Sequence, residues 1–342
     1  MSGGAEPEPA PRRAGWVVLP GVAYTPDHGL TVAGALMRYF RRGSSGEKTS
    51  RVVLTVEGSA SARGMVSLDP DVWFADGLYH LGGSTWVSYL DYTYFGVGND
   101  TRFADGEDYT AVRATFRPEV VRRIAGNLYA GALYEARYED VSDVEDGGML
   151  EAGEVTGSGG GLVSGLGMLL RWDSRDHSFA PRSGGLVTLS PRIYGSALGS
   201  DFDFTRLVLD ASWFFGLGGE HVLAVDGQVD LRGGDPPFSH MSQAGGSGLM
   251  RGMLEGRFRD RHFIAAQVEY RYPLWWRFGG VAFGGLGRVA STIGDFDVTG
   301  LKYSVGGGLR FAIKPRERIH VRLDVARSND DSAYYFALLE AF

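Results

Sequence analysis

Cysteine is absent from the 342 residues, which excludes a disulfide framework, a thiolate nucleophile and a cysteine-ligated metal. No run of eighteen apolar residues occurs, so no transmembrane helix is encoded and a membrane role would require strands closed into a barrel. The opening segment, MSGGAEPEPAPRRAGW, has no apolar core of the kind a signal peptide needs. An exported protein would therefore have to be present here in its mature form. Excess positive charge is missing too. A formal charge of −7 with few lysines and no basic face argues against nucleic acid as a partner.

What the chain has instead is turn formers and aromatic rings: Gly 52, Tyr 16, Phe 19 and Trp 7. Its length suits two ordinary domains or one large β domain. Residues 1–15, rich in Pro, Glu and Gly, read as a disordered leader, and residues 16–342 as one domain. From Trp16 onward a single unit repeats, roughly ten residues of alternating polarity followed by a turn. In RVVLTVE, Val52, Leu54 and Val56 share one face and Arg51, Thr55 and Glu57 the other. Leu223, Val225 and Val229 likewise oppose Asp226, Gln228, Asp230 and Arg232. Period two means strand.

Alternation alone does not separate a soluble sandwich from a membrane barrel, because a charged face can simply point to water. Strand count and turn lengths help. Sixteen strands are predicted, starting near Trp16, Leu30, Thr49, Arg63, Leu78, Glu107, Arg122, Gly161, Gly184, Phe202, Glu220, Asp260, Arg277, Gly300, Glu317 and Ser332. An even number suits closure, and short links at Asp76, Pro118 and Gly216 alternate with the three longest, around 95–106, 140–160 and 233–259. That asymmetry is the outer-membrane pattern. Aromatic clusters near strand ends, as in PLWWRF and AYYFALLEAF, suit a headgroup interface. The reading is all-β, a 16-stranded antiparallel transmembrane barrel in the bacterial outer membrane.

In the second half, LLRWDSRDHSFAPRSGGLVTLSP, MRGMLEGRFRDRHFIAAQVEYRYPL, and LKYSVGGGLRF with IHVRLDVARS and YYFALLEAF form an ordered set of motifs. Together they resemble the bacterial surface-antigen barrels, the superfamily of BamA, TamA and FhaC. YTPDHGLTVAGAL and DYTYFGVGNDT resemble the branch that lacks N-terminal POTRA domains. The resemblance implies that MRGM lies in the sixth extracellular loop, folded into the lumen, with Arg251 directed at Glu269 on the twelfth strand. Physical chemistry agrees: a dry arginine needs a carboxylate, ideally in bidentate geometry, and Gly252 frees the loop tip. The family's second acid, in a Phe-x-Asp-x-Gly pattern on the thirteenth strand, is replaced here by Gly285. Asp173 and Asp324 are the candidate substitutes, and Arg271 shares the inner face with Glu269 and Gln267.

Fifteen residues before Trp16 are too few for a soluble domain, which leaves the seam as the functional feature. Strand one carries Pro20 and Gly21 and must close on the last strand, which ends at Phe342. Proline cannot donate to a ladder, so the seam should be short of hydrogen bonds. Insertion or translocation through a weak seam is the first functional expectation. A passive or plugged pore for small solutes is the alternative. Expected partners are outer-membrane lipids, unfolded outer-membrane proteins as clients, or a periplasmic protein. Enzymes are the least favoured class: no G-x-S-x-G, P-loop or H-E-x-x-H occurs, and no cofactor or metal is expected. Ser174, Asp176 and His177 are neighbours in SRDHSF, but a triad is made by geometry rather than adjacency. GSGGG, ending at Gly161, reads as a flexible loop without the strand-to-helix context of a phosphate cradle.

Overall fold

The alternation resolves into a single antiparallel sheet of sixteen strands in a computed structural model that describes residues 14–25, 29–41 and 48–342. The first eleven are β1 (Ala14–Thr25), β2 (Gly29–Phe40), β3 (Ser50–Ser59), β4 (Gly64–Phe74), β5 (Tyr79–Tyr94), β6 (Glu107–Ala125), β7 (Leu128–Ser142), β8 (Gly160–Asp173), β9 (Gly184–Tyr194), β10 (Phe204–Gly216) and β11 (Val222–Gly234). Two short strands, β12 (Ser242–Ala244) and β13 (Phe258–Asp260), pair with each other inside the following loop. The sheet resumes with β14 (His262–Pro273), β15 (Phe278–Ala290), β16 (Lys302–Lys314), β17 (Ile319–Ser328) and β18 (Ser332–Leu338). Every neighbour in this order is a sequential hairpin, and β11 pairs directly with β14. The sheet is a nearly closed barrel.

Burial separates the two faces. On β14, Gln267, Glu269 and Arg271 are buried while Val268 and Tyr270 are exposed. On β10, Leu207, Leu209, Trp213 and Phe215 are exposed while Phe214 is buried. Met168 on β8 and Val18 on β1 are each 70% exposed, whereas Glu269 and Asp324 are 0% exposed. A water-soluble protein does the reverse, burying its aliphatics and solvating its charges. An apolar exterior running around the sheet, over a charged interior, is the pattern of a barrel set in lipid.

Turn chemistry follows sequence closely at one end. Between β4 and β5, Leu78 N–H donates to the Ala75 carbonyl at 3.0 Å, with Asp76 and Gly77 at φ 54° and 71°. This is the Asp-Gly two-residue hairpin that a twisted pair favours. The link expected at Pro118 is not a turn. β6 runs through it to Ala125, and β7 starts at Leu128 rather than near Arg122. The missing proline N–H falls where the β6–β7 ladder skips from Phe116 to Glu119. Opposite Pro118 stands Gly83, whose backbone lies so close that a Cβ would meet the Arg117 carbonyl. Proline is tolerated in a ladder where its donor is not called upon.

Ala14 and Gly15 already belong to β1, and the rest of the expected leader lies outside the described residues. At the other terminus the last strand stops before the chain does. β18 ends at Leu338, Leu339 takes φ 68°, and the following residues turn away from the sheet. Phe342 packs on Phe214 with ring centroids 6.1 Å apart, so it lies inside against β10 and β11 rather than along the seam.

Candidate functional site

The loop between β11 and β14 is braced at its base by the β12–β13 hairpin and by Gly98 N–H, which donates to the Arg259 carbonyl at 2.8 Å. Met250 and Met253 are buried with Phe263 and Ala265 of β14 and Val289 of β15. Between the two methionines the chain makes a tight turn, Met253 N–H donating to the Met250 carbonyl at 3.3 Å. Gly252 holds its third position at φ 96°, the backbone geometry that selects glycine.

That turn presents Arg251, which is 0% exposed. Its Nη2 donates to Glu269 Oε2 at 2.5 Å and its Nη1 to Asp324 Oδ2 at 2.8 Å. The guanidinium lies 3.5 Å from the Phe283 ring centroid, and its carbonyl accepts from the Ser304 hydroxyl. Gly252 N–H donates to the Tyr335 hydroxyl at 2.9 Å. Side chains of five strands, β14 to β18, therefore converge on two loop residues.

Neither acid belongs to Arg251 alone. Glu269 Oε1 accepts from Arg271 at 2.7 Å. Asp324 accepts from Arg310 at 2.5 Å and from Arg322 at 3.2 Å. Arg310 also donates to Glu340 at 2.7 Å, and His320 lies 3.2 Å from that carboxylate. Four arginines thus share three carboxylates. The cluster is one network rather than a set of pairs, so its members should couple energetically.

Of the residues singled out in the sequence, Arg251, Gly252, Glu269, Asp324 and Arg271 are brought together. Asp173 is not. It caps β8 at the short-turn end, where it pairs with Lys48 and accepts from Arg175 at 3.0 Å. Gly285 faces inward beside Gln267, where a Cβ would come within 3.0 Å of the Gln267 Cβ. The second carboxylate comes from β17 instead of β15. Sequence reading missed Arg310, Arg322 and Glu340. Alternation does place the two arginines on the inner face with Asp324, but the inward turn at Leu339 that delivers Glu340 has no signal in the local pattern.

Pro20 and Gly21 lie within β1, opposite Gly34 and Ala33 of β2. Among the described residues no ladder pairs β1 with β18, the two ends of the sheet order. The gap is nonetheless narrow. A Cβ built on Gly21 would lie 3.5 Å from the Phe336 ring. At the short-turn end, the β8–β9 link sends Phe179 across to a cluster with Val17 and Met37 on one side and Ile319 and Leu339 on the other. Arg318 fixes this link, its Nη1 donating to Asp176 at 2.6 Å and to the Ala180 carbonyl at 3.2 Å. Side chains rather than backbone span the seam there.

His177 is not set up as a catalytic base. Its Nδ1 accepts from the Phe179 N–H at 3.1 Å, and burial, reinforced by Arg318 and Arg41, pushes its pKa from 6.5 down to about 4. Protonation would remove that acceptor. A depressed histidine pKa means the turn keeps its full stability above about pH 6.5 and loses it as the pH falls towards about 4. The protection factor of the Phe179 amide in hydrogen exchange should drop across that window. In His177→Asn, whose amide oxygen can still accept, it should stay flat.

Gly252→Ala is the sharpest test of the turn. The added Cβ would meet the Ala326 carbonyl carbon and the Arg327 nitrogen at 2.7 Å, backbone that cannot rotate aside. With the strain of a positive φ, the expected destabilisation is roughly 2–4 kcal/mol, read by equilibrium unfolding in detergent.

Residues 55–330 match the Omp85 superfamily domain. No curated protein matches the sequence. Among solved structures, the barrel is similar to BamA from Haemophilus ducreyi lacking POTRA domains 1–3, at 14% identity and a TM-score of 0.58, over 95% of this chain and 69% of that one. It is similar to CdiB from Escherichia coli at 12% identity and a TM-score of 0.59, over 98% of this chain and 63% of that one. CdiB from Acinetobacter baumannii matches at 11% identity and 0.58, over 97% and 60%. Likeness at these identities is one of fold, and the chain spans 60–69% of the length of these structures.

Proposed function

The chain belongs to the Omp85 superfamily, and from that premise we propose that it is a bacterial outer-membrane barrel that inserts or translocates its cargo through the gap between β1 and β18, without covalent chemistry. The observation that carries this reading is the lack of a β1–β18 ladder among the described residues. β18 offers seven residues against the twelve of β1, because the chain turns inward at Leu339. Unpaired strand edges are templates for another strand, and an edge facing lipid offers that template to an unfolded outer-membrane protein. In this reading the loop carrying Arg251 lies in the lumen as a latch, holding β14–β18 as one body against which β1 moves. Outer-membrane lipids surround the apolar exterior, and a periplasmic partner would dock on the short turns.

The wall between β4 and β6 also encloses a cavity of about 910 Å³ lined by Trp86, Arg113, Arg117 and Arg259 among others, which favours a solute pore as the second reading. One experiment separates them. The chain has no cysteine, so Gly21→Cys with Phe336→Cys creates the only thiol pair, and a short bis-maleimide closes the seam. In liposomes, bridging is expected to abolish insertion of an unfolded barrel client while the single-cysteine controls stay active. Insertion that survives bridging sinks the lateral route. Conductance without insertion assigns the pore.

A further inference from the structure

The inner wall carries a second charged cluster, on β6, β7 and β9 to β11, separate from the side chains that hold Arg251. Arg192, Arg206 and Arg232 stand in direct register on β9, β10 and β11. Like charges placed opposite one another repel, and the acids nearby do not match them in number. Asp230 is shared by Arg206, at 2.9 and 3.0 Å, and Arg232, at 3.0 Å. Glu139 is shared by Arg113 at 2.7 Å and Arg137 at 3.4 Å. Glu135 accepts from Arg192 at 3.0 Å, while among the described residues Arg117 makes no ion pair and donates to the Ser84 hydroxyl at 3.2 Å. With Glu255 on the cavity wall, six arginines face four carboxylates; Asp210, which accepts from Gln228 at 2.8 Å in the field of Arg206 and Arg192, and Asp69 beyond Arg117 are the next acids.

The surplus surrounds a cavity of about 220 Å³, lined by Arg137, Arg206, Arg232 and His240. Nε and Nη1 of Arg232, Nε of Arg137 and both ring nitrogens of His240 are buried without a hydrogen-bond partner. Unmatched buried donors of this kind are costly. His240 sits in the buried turn Phe238–His240, where burial first, then Arg137, Arg232 and Arg206, outweigh Glu135 and keep the ring neutral. The cavity shares Trp86, Arg117, Arg137, Ser239, Gln243 and Glu255 with the 910 Å³ cavity, which gives a ligand a way in.

We propose that Arg137, Arg206, Arg232 and His240 form a binding site for a small oxyanion of the phosphate class. A tetrahedral oxyanion accepts from several guanidinium N–H groups at once and offsets the excess charge. This inference depends on the fold alone and not on the insertion reading.

Inorganic phosphate titrated into the detergent-solubilised protein, at constant ionic strength against chloride, tests it through the unfolding midpoint. At pH 8, wild type should gain stability that rises with the logarithm of ligand concentration above the dissociation constant. Arg232→Gln and His240→Phe, each checked for folding by heat-modifiable gel mobility, should weaken the apparent affinity at least about tenfold, the loss of one charge-assisted contact. Phosphate also stabilises proteins by exclusion from their surfaces, so equal gains, linear in concentration, in wild type and both variants overturn the site, as does the absence of any gain. Glycerol 3-phosphate in a parallel arm distinguishes sources: tighter binding than phosphate points to a lipid headgroup, equal or weaker binding to the free ion.

Discussion

Asp324→Asn is expected to destabilise the barrel by about 3–5 kcal/mol, the range for stripping one partner from a buried charge network. Arithmetic within the cluster makes this larger than any other single change there. Arg251, Arg271, Arg310 and Arg322 share Glu269, Asp324 and Glu340. Neutralising Asp324 leaves four arginines to two carboxylates, and three of the four lose a contact of 3.2 Å or less. Arginine cannot relieve the imbalance by giving up its proton. Equilibrium unfolding in detergent or in lipid measures the cost. A loss below about 1 kcal/mol would place the cluster in the range of solvated surface pairs and contradict its burial.

The same counting explains what the sequence made legible. Strand periodicity is local, so the sixteen strands and their inner faces can be read from alternation at sites such as Gln267, Glu269 and Arg271. The asymmetry of link lengths is equally local. Pro118 misled because a proline reads as a break in any strand, whereas its effect depends on whether the neighbouring strand needs its N–H, a tertiary fact. Asp173 misled for a related reason: which inward acid meets Arg251 depends on height along the barrel, and Asp173 stands at the end of β8. Glu340 was invisible because a single left-handed residue, Leu339, redirects the chain, and leucine carries no turn signal. The family resemblance supplied Arg251 and Glu269, while the second carboxylate that Arg251 reaches comes from β17, where the resemblance implied the strand of Gly285.

Arg251→Ala is expected to act on the loop more than on the wall. Removing it leaves three arginines to three carboxylates, and Glu269 and Asp324 keep Arg271, Arg310 and Arg322. Global stability should therefore fall less than in Asp324→Asn. The loop loses both ion pairs and the Phe283 stack, yet Met250 and Met253 stay buried, and each such side chain contributes about 1.5–3 kcal/mol. That is enough to keep the chain on either side of the turn seated. Hydrogen exchange should consequently show a local opening: the Gly252 amide, bonded to Tyr335, loses protection by roughly a hundredfold, equivalent to about 2.7 kcal/mol. The β12–β13 amides stay protected. Arg251→Lys should fall between, because an ammonium keeps the charge but lacks the planar fork that reaches both carboxylates. If the Gly252 amide exchanges at the wild-type rate in Arg251→Ala, the methionines hold the loop and the arginine is not its latch. If the hairpin opens too, the arginine holds the whole loop and the apolar contribution has been overestimated.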